Sequence, residues 1–302
     1  MVEEDVRTGE FEIINHPLEP QSRNQKKPCS CLSMATVALS THFFSQPSFP
    51  RSSAFPSAPA AHVGVASHSH KSSPPALSQI EDSGIIACLR ATSAEVAKEA
   101  AHAALEGGIS VLEIVVSTPG VFEVVQTMPS IQFSDAITVG TVLNIRDARN
   151  CAKSGAKFLM SPATVKEISD CFHGTEVLYI PGAMTPTEVF DAYNAGAKIV
   201  KVYPISALGG AKYISALKKP FFNIPMVASQ GITIDSIEAY ISGGASAVVL
   251  SDAIFDKEAM RQKNFNAIFD LARLATSHGY KAVNSIIDTA VSYCSAKLSR
   301  PM

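Results

Sequence analysis

The chain lacks both long apolar runs and an excess of charge. No apolar run approaches the roughly 20 residues that a helix needs to cross a membrane. The 302 residues include 25 basic and 27 acidic side chains, which leave a net charge of −2, and no basic patch stands out in the folded part. Neither nucleic acid nor a membrane is therefore expected as a partner, because basic residues are what recognise these negatively charged surfaces.

The chain also lacks a series of regularly spaced cysteines and a cluster of metal ligands. Its six cysteines are Cys29, Cys31, Cys88, Cys151, Cys171 and Cys294. Cys29 and Cys31 are too close together to form a zinc site without two further ligands, and none lie nearby. We therefore expect reduced cysteines, no disulfide framework, and neither a metal nor another cofactor.

The N-terminal quarter differs in composition from the rest. Residues 1–33 are polar and acidic without a helical or strand period, which predicts a disordered upstream extension. From Met34 to Ile80 the chain has no Asp or Glu and is rich in Ser, Ala, Pro and His, which is typical of an organelle transit peptide. We expect translation to begin at Met34 and residues 34–75 to be removed on import into a chloroplast or other plastid. An ordinary disordered tail is the alternative.

From Ser83 onward, short apolar runs alternate with helix-like stretches that end in glycine. The eight runs recur every 20 to 26 residues: Ile85–Leu89, Val111–Val116, Ala136–Gly140, Lys157–Met160, Val177–Ile180, Lys198–Val202, Ile224–Ala228 and Ala247–Leu250. Near-continuous apolar strands predict a parallel sheet covered by helices, and eight units close a barrel. We therefore expect an α/β fold, a single (β/α)8 TIM barrel at residues 80–277. The alternative, an open doubly wound sheet, needs a Gly-rich loop where this chain has Arg90-Ala91-Thr92-Ser93.

Residues 278–302 are predicted to form a C-terminal helical tail. Ala282, Val283, Ile286 and Ile287 give this tail an apolar stripe. The stripe would pack either on the barrel or on a neighbouring subunit, and the sequence is compatible with both arrangements.

Lys201 is the first candidate for chemistry, because active sites of such barrels lie at the carboxyl ends of the strands. It is embedded in the apolar run Lys198–Val202, on the same face as Ile199 and Tyr203. Burying an ammonium is costly unless it is paired or loses its proton, and a desolvated amine suits a Schiff-base lysine. A structural lysine paired with a barrel carboxylate is the alternative.

Glu113 is the second candidate, since it places a carboxylate inside the apolar run Val111–Val116. In one interpretation it simply neutralises Lys201. In the other it also moves protons at the carbon next to a Schiff base. The two interpretations are compatible.

Six motifs follow one another along the folded part. They are Ile86-Ala87-Cys88-Leu89-Arg90-Ala91, Leu112-Glu113-Ile114, Gly140-Thr141-Val142, Ser161-Pro162, Ile180-Pro181-Gly182-Ala183-Met184-Thr185-Pro186-Thr187-Glu188 and Lys201-Val202-Tyr203-Pro204. With them the chain resembles the class I aldolases that cleave 2-keto-3-deoxy-6-phosphogluconate (KDPG) and 4-hydroxy-2-oxoglutarate (KHG). The resemblance implies a (β/α)8 barrel, usually a homotrimer, that forms a lysine Schiff base with pyruvate and uses no metal.

The same resemblance assigns roles to individual residues. Lys201 matches the Schiff-base lysine and Glu113 the general acid/base. Arg90 and Thr141 match positions that hold the carboxylate of a 2-keto acid substrate and the carbinolamine region. Pro162 and Tyr203 match residues that line the pocket.

The chain departs from the family pattern after its last two strands. Ser229-Gln230-Gly231 stands where the family has Thr-Gly-Gly, and Ser251-Asp252 where it has Gly-Ser. Ser229, Gly231 and Asp252 remain candidate substrate-binding residues, since backbone amides at a helix start can bind anions. Gln230 adds bulk and Asp252 adds a negative charge, which together predict a weakened phosphate subsite.

Three functions are compatible with these residues. The first is cleavage of a phosphorylated 2-keto-3-deoxy sugar acid. The second is the same chemistry on an unphosphorylated or small substrate, such as KHG, or decarboxylation of oxaloacetate. The third is a 2-keto-acid-binding barrel with little or no turnover. The changes at Gln230 and Asp252 favour the second over the first, and the presence of Lys201 and Glu113 argues against the third.

Overall fold

The computed structural model describes residues 74–128 and 137–298. The predictions for residues 1–33, and for residues 34–75 apart from the last two, lie outside the described residues. The helices are α1 (Pro75–Ser83), α2 (Ala94–Glu106), α3 (Val121–Thr127), α4 (Ile145–Lys153), α5 (Lys166–Phe172), α6 (Pro186–Asn194), α7 (Ala211–Lys218), α8 (Ile237–Ser242), α9 (Lys257–Gln262) and α10 (Phe265–Leu298). The strands are β1 (Ile85–Leu89), β2 (Leu112–Val115), β3 (Ile137–Gly140), β4 (Phe158–Met160), β5 (Leu178–Ile180), β6 (Gly182–Ala183), β7 (Val200–Val202), β8 (Met226–Ser229) and β9 (Ala247–Leu250).

The strands form a parallel barrel, as the sequence predicts. They pair in the order β5-β4-β3-β2-β1-β9-β8-β7-β6, so the two ends of the sheet are β5 and β6. These two strands flank Pro181 in one stretch of chain, and the sheet therefore closes on itself there. Pro181 has no N–H to donate to a ladder, but its carbonyl accepts a hydrogen bond from the Lys201 amide at 2.9 Å. The fold is a (β/α)8 barrel whose fifth strand is interrupted at this proline.

Strand residues alternate between the barrel lumen and the surrounding helices. Ile199 belongs to the luminal apolar cluster, whereas Val200 and Val202 pack in the outer cluster between strands and helices. Lys201 shares the luminal face with Ile199, as the alternation in the sequence indicates. The barrel therefore points this lysine into its interior.

Helix α1 closes the amino-terminal end of the barrel. Ala76, Leu77 and Ile80 are buried in the luminal apolar cluster. Residues 75–79, which precede the boundary at residue 80 expected from the sequence, therefore pack against the barrel. The boundary differs because α1 precedes the first strand and reveals its role only through its contacts with the barrel floor.

Helix α10 is a single helix of 34 residues that runs through the boundary expected near residue 277. Gly279 allows its close approach to the barrel, because a Cβ there would lie 2.6 Å from Ile85 Cδ1 and 2.9 Å from the Ser83 carbonyl. Ala282 is buried, whereas Ile286 and Ile287 are exposed. The first part of the predicted tail therefore packs on the barrel. No helix in the described part of the chain, α10 included, combines the length and apolar character of a membrane span.

Candidate active site

Lys201 is buried at the carboxyl end of the barrel. The residue is 5% exposed, and its Nζ lies 5.6 Å from the centroid of the Tyr203 ring. Strand β7 supplies this position because Val200 and Val202 anchor the strand in the outer core while Lys201 points inward. The amine is therefore largely removed from water and held next to an aromatic ring.

Glu113, on β2, is completely buried. Among the described residues neither carboxylate oxygen has a partner at ordinary hydrogen-bond geometry, although the Cys88 thiol is near enough to interact with the carboxylate, so Glu113 is not tied to Lys201 by a hydrogen-bonded ion pair. The interpretation that Glu113 only neutralises Lys201 therefore gains no support from their contacts. A buried carboxylate without a partner is costly, and such groups cluster where they have a function.

Gly140, on β3, makes room for this carboxylate. A Cβ at residue 140 would lie 1.5 Å from Glu113 Oε1 and 2.1 Å from its Cδ. These distances are far shorter than any non-bonded contact, so a side chain at residue 140 would have to displace the carboxylate. Gly140 belongs to the sequence motif Gly140-Thr141-Val142, but no role was predicted for it. A glycine inside a strand often marks a close approach of another group, and that signal was available in the sequence.

Two further luminal residues flank Glu113. In the parallel register Cys88 on β1 is the partner of Glu113, and Glu113 is in turn the partner of Thr138 on β3. Burial and then the nearby Glu113 charge raise the pKa of the Cys88 thiol, so Cys88 remains protonated in the physiological range. Both residues were missed as site residues, because their position beside Glu113 follows from the strand register.

Arg90 and Thr141 lie directly after β1 and β3, at the mouth of the barrel. Arg90 is exposed, and its positive charge acts on the Cys88 thiol inside the mouth. Thr141 has φ of 59°, a left-handed conformation that non-glycine residues seldom adopt. Such backbone strain is found preferentially at functional sites, where surrounding contacts maintain it.

Pro162 and Tyr203 line a cavity of about 660 Å³ at the same end of the barrel. The cavity extends between the loops after β4, β6 and β7 towards α5 and α6. Tyr203, whose ring faces the Lys201 amine, is shared between this cavity and the surroundings of the amine, whereas Lys201 and Glu113 do not line the cavity themselves.

The segment after β8 has an unusual backbone. Ser229 is buried, Gln230 has φ of 89°, and Gly231 has φ of 70°. Gln230 Oε1 accepts a hydrogen bond from Ser206 Oγ, and a Cβ at Gly231 would lie 2.6 Å from Ser206 Cβ. The Gln230 side chain thus bridges the segments that follow β7 and β8.

Asp252, after β9, lies on the exposed rim rather than among the buried groups. Its side chain is 68% exposed, and Oδ2 lies 3.3 Å from Nζ of Lys257. The charge that the sequence analysis expected to repel a phosphate is therefore partly balanced by Lys257 and screened by water. Across residues 74–128 and 137–298, no three His, Cys, Asp or Glu side chains come together in a way that could bind a metal ion.

A parallel barrel that buries a lysine and a carboxylate near the carboxyl ends of its strands defines a (β/α)8-barrel enzyme. The model of the KDPG and KHG aldolase family matches residues 77–271, and the chain belongs to this family. It is therefore a carbon–carbon lyase of the aldolase type.

Individual relatives agree with this assignment. The 2-dehydro-3-deoxy-phosphogluconate aldolase of Treponema pallidum is 29% identical over 144 residues, which are 47% of this chain and 68% of the relative. The KHG/KDPG aldolase of Escherichia coli K12 is 25% identical over 175 residues, 58% of this chain and 82% of the relative. The crystal structure of KDPG aldolase from Legionella pneumophila has a TM-score of 0.62 at 24% identity, covers 66% of this chain and 97% of its own, and supports the fold.

Proposed function

We propose that this chain is a class I aldolase that cleaves a 2-keto-3-deoxy or 4-hydroxy-2-keto acid into pyruvate and an aldehyde, with Lys201 as the Schiff-base lysine. The observation that carries the proposal is the 5% exposed Lys201 amine at the barrel mouth, with a fully buried carboxylate in the same lumen. A lysine stripped of water is activated for attack on a ketone.

The proposed reaction begins when the Lys201 amine attacks the C2 ketone and water leaves, which forms an iminium ion. The iminium withdraws the electron pair of the C3–C4 bond, the C4 hydroxyl loses its proton, and the aldehyde departs. The remaining enamine takes a proton at C3, and hydrolysis releases pyruvate and the free amine. Protons move at the C2 oxygen when water leaves or returns, at the C4 hydroxyl on cleavage and at C3 when the enamine is protonated, so an acid/base group must lie within reach of these atoms.

Glu113 is proposed to supply that carboxylate. Its oxygens have no hydrogen-bond partner among the described residues, so they are free to accept and return a proton. Arg90 and Thr141 are proposed to hold the carboxylate of the 2-keto acid at the mouth, where a guanidinium can bind it through two hydrogen bonds. Pro162 and Tyr203 are proposed to line the rest of the pocket.

The direct test is reduction of the full-length protein with borohydride in the presence of pyruvate, followed by intact mass and peptide mapping. A pyruvate adduct on Lys201 that is absent from Lys201→Arg is the expected result, because only an iminium is reduced to a stable amine. The absence of an adduct from folded wild-type protein would contradict the aldolase proposal. It would favour a barrel that binds 2-keto acids without turning them over.

For the aldehyde half of the substrate, we propose an unphosphorylated or small group. Gln230 fills the space between the segments after β7 and β8 and holds a strained left-handed backbone there. Ser229 and Gly231 still offer polar groups for a substrate, but a bulky side chain between them limits the approach of a phosphate to the backbone amides. Asp252 adds a weaker, solvent-screened repulsion, since it is paired with Lys257.

Gln230→Gly combined with Asp252→Ser is expected to raise kcat/KM for phosphorylated relative to unphosphorylated substrate by roughly tenfold, or about 1.4 kcal/mol. Glycine adopts the left-handed backbone without strain, and serine leaves the Lys257 ammonium free. Steady-state kinetics on KDPG and KHG measure the ratio. The single variants serve as controls, with the larger change expected from Gln230→Gly. An unchanged ratio in the double variant would show that this region does not select against phosphate.

We also propose that the protein assembles as a homotrimer, as its family resemblance implies. Several large apolar side chains are exposed on the described surface, and association of copies would cover part of this area. They include Leu143, Met184, Phe190, Phe222 and Leu274. A monomer mass from light scattering at micromolar concentration would contradict the proposal.

We further propose that residues 34–75 direct the protein to a plastid. Support comes from the acid-free, Ser-rich composition of this segment, and from the position of Pro75 as the first residue of α1. Cleavage near residue 75 would leave this helix intact. N-terminal sequencing of the native protein is the test, and a mature start at Val2 would contradict it.

A further inference from the structure

Three side chains form a continuous row across the lumen, from β1 to β3. Cys88, Glu113 and Thr138 are successive partners in the parallel register, so their side chains lie side by side on the luminal face. Glu113 and Thr138 are both 0% exposed. Within the described part of the chain, Thr138 Oγ1 and both Glu113 oxygens have no hydrogen-bond partner.

Buried polar atoms are almost always hydrogen-bonded, either to protein or to an ordered water. Two side chains in this row, Cys88 and Thr138, could donate a hydrogen bond to the Glu113 carboxylate. The Cys88 thiol is a weak donor that interacts with the carboxylate without a hydrogen bond of ordinary geometry, and it remains protonated because burial and the Glu113 charge raise its pKa. The Thr138 hydroxyl is a stronger donor and is itself unpaired.

The rise along β3 between Thr138 and Gly140 is compatible with one water molecule between the Thr138 hydroxyl and the carboxylate. Glu113 Oε1 occupies the place that a side chain at Gly140 would take, two residues beyond Thr138 on the same strand. Two residues of strand span about 6.6 Å. Two successive hydrogen bonds of about 2.8 Å each, from the hydroxyl to a water and from the water to the carboxylate, cover most of that distance. The Thr138 side chain covers the rest.

We propose that Thr138 is a positioning residue for Glu113, holding one carboxylate oxygen through a buried water so that the other faces the substrate. This inference rests on the proposed aldolase function. Thr138 lies deeper in the lumen than Gly140, so the water approaches the carboxylate from below. The mouth side of the carboxylate is left free to exchange protons with C3 of the Schiff base.

The proton step at C3 can be followed apart from Schiff-base formation. In the iminium of pyruvate, a methyl C–H bond breaks, its proton goes to Glu113, and the electron pair forms the enamine C=C bond. In D2O the carboxyl then returns a deuteron to C3. Loss of the methyl signal of pyruvate in proton NMR therefore measures Glu113-dependent transfer, whereas borohydride trapping measures the Lys201 adduct alone.

Thr138→Val removes the hydroxyl and keeps the shape, and Thr138→Ser keeps the hydroxyl. In the full-length protein, Thr138→Val is expected to slow methyl deuteration by about tenfold or more, a fraction of what general acid–base catalysis contributes. The yield of trapped adduct is expected to stay near the wild-type value. Thr138→Ser is expected to restore deuteration to within about twofold of wild type, as a hydroxyl-dependent role requires.

Several results would overturn the inference. Deuteration at the wild-type rate in Thr138→Val would do so. An equal loss of deuteration in Thr138→Val and Thr138→Ser would also do so, as would a loss of the trapped Lys201 adduct together with deuteration in Thr138→Val. If Thr138→Val does not fold, Thr138→Ala must show the same selective loss, and wild-type deuteration in that variant would count equally against the inference. Failure to trap any adduct on wild-type protein would instead contradict the proposed function, so the two failures are distinguishable.

Discussion

Lys201→Arg is expected to lower kcat for aldol cleavage by at least about 10³-fold, to the limit of detection. A guanidinium stays charged and does not condense with a ketone, so the variant keeps a long basic side chain but loses the covalent intermediate. The side chain is almost completely buried, and arginine must fit beside the Tyr203 ring. Coupled detection of pyruvate release measures the loss, and thermal unfolding shows whether the variant is folded.

Lys198→Arg is the matched control for this substitution. Lys198 is three positions earlier in the same apolar run but is exposed. The same chemical change there is expected to leave kcat within about twofold of wild type, since exposed substitutions away from special sites have small effects. Equal losses at both positions would indicate a general effect on β7 rather than loss of a nucleophile. Turnover by Lys201→Arg above a tenth of wild type would contradict the Schiff-base role.

Gly140→Ala is expected to reduce kcat by about 10²- to 10³-fold, because the new methyl group occupies the place of the Glu113 carboxylate. The added carbon would lie 1.5 Å from Oε1 and 2.3 Å from Cγ, so the acid must leave its position or β3 must move. The backbone at residue 140 is ordinary strand, which alanine adopts without strain. The expected loss is therefore larger in activity than in stability, and initial rates with denaturant unfolding measure both.

A double-mutant cycle with Glu113→Gln tests whether Gly140 acts through Glu113. If the methyl group harms only the placement of the acid, adding Gly140→Ala to Glu113→Gln costs little further activity. Rates that fall by the product of the two single losses would show that residue 140 has an independent role. Trapping of the Lys201 adduct is expected to survive in the single Gly140→Ala variant, which separates this effect from damage to β7.

The barrel could be predicted from the sequence because its signal is local. The apolar runs give β1 its observed bounds, and each of the eight runs overlaps an observed strand. The predicted runs at Lys198 and Ile224 begin two residues before β7 and β8, because the buried Ile199 and Ile224 precede the paired residues. The interruption at Pro181 was not predicted. This interruption depends on strand pairing when the sheet closes, since β5 before the proline pairs with β4 and β6 after it pairs with β7.

The sequence by itself determined which strands carry the candidate catalytic residues: a lysine on the luminal face of one strand and a carboxylate inside another. Alternation along a strand fixes which face each side chain takes, whatever the neighbouring strand is. The tertiary structure alone decided that Glu113 lies against Gly140 and in register with Thr138, and that Asp252 is paired with Lys257. The contacts of Glu113 join residues of different strands, so they follow from the barrel register, whereas the Asp252–Lys257 pair depends on how the loop after β9 turns into α9.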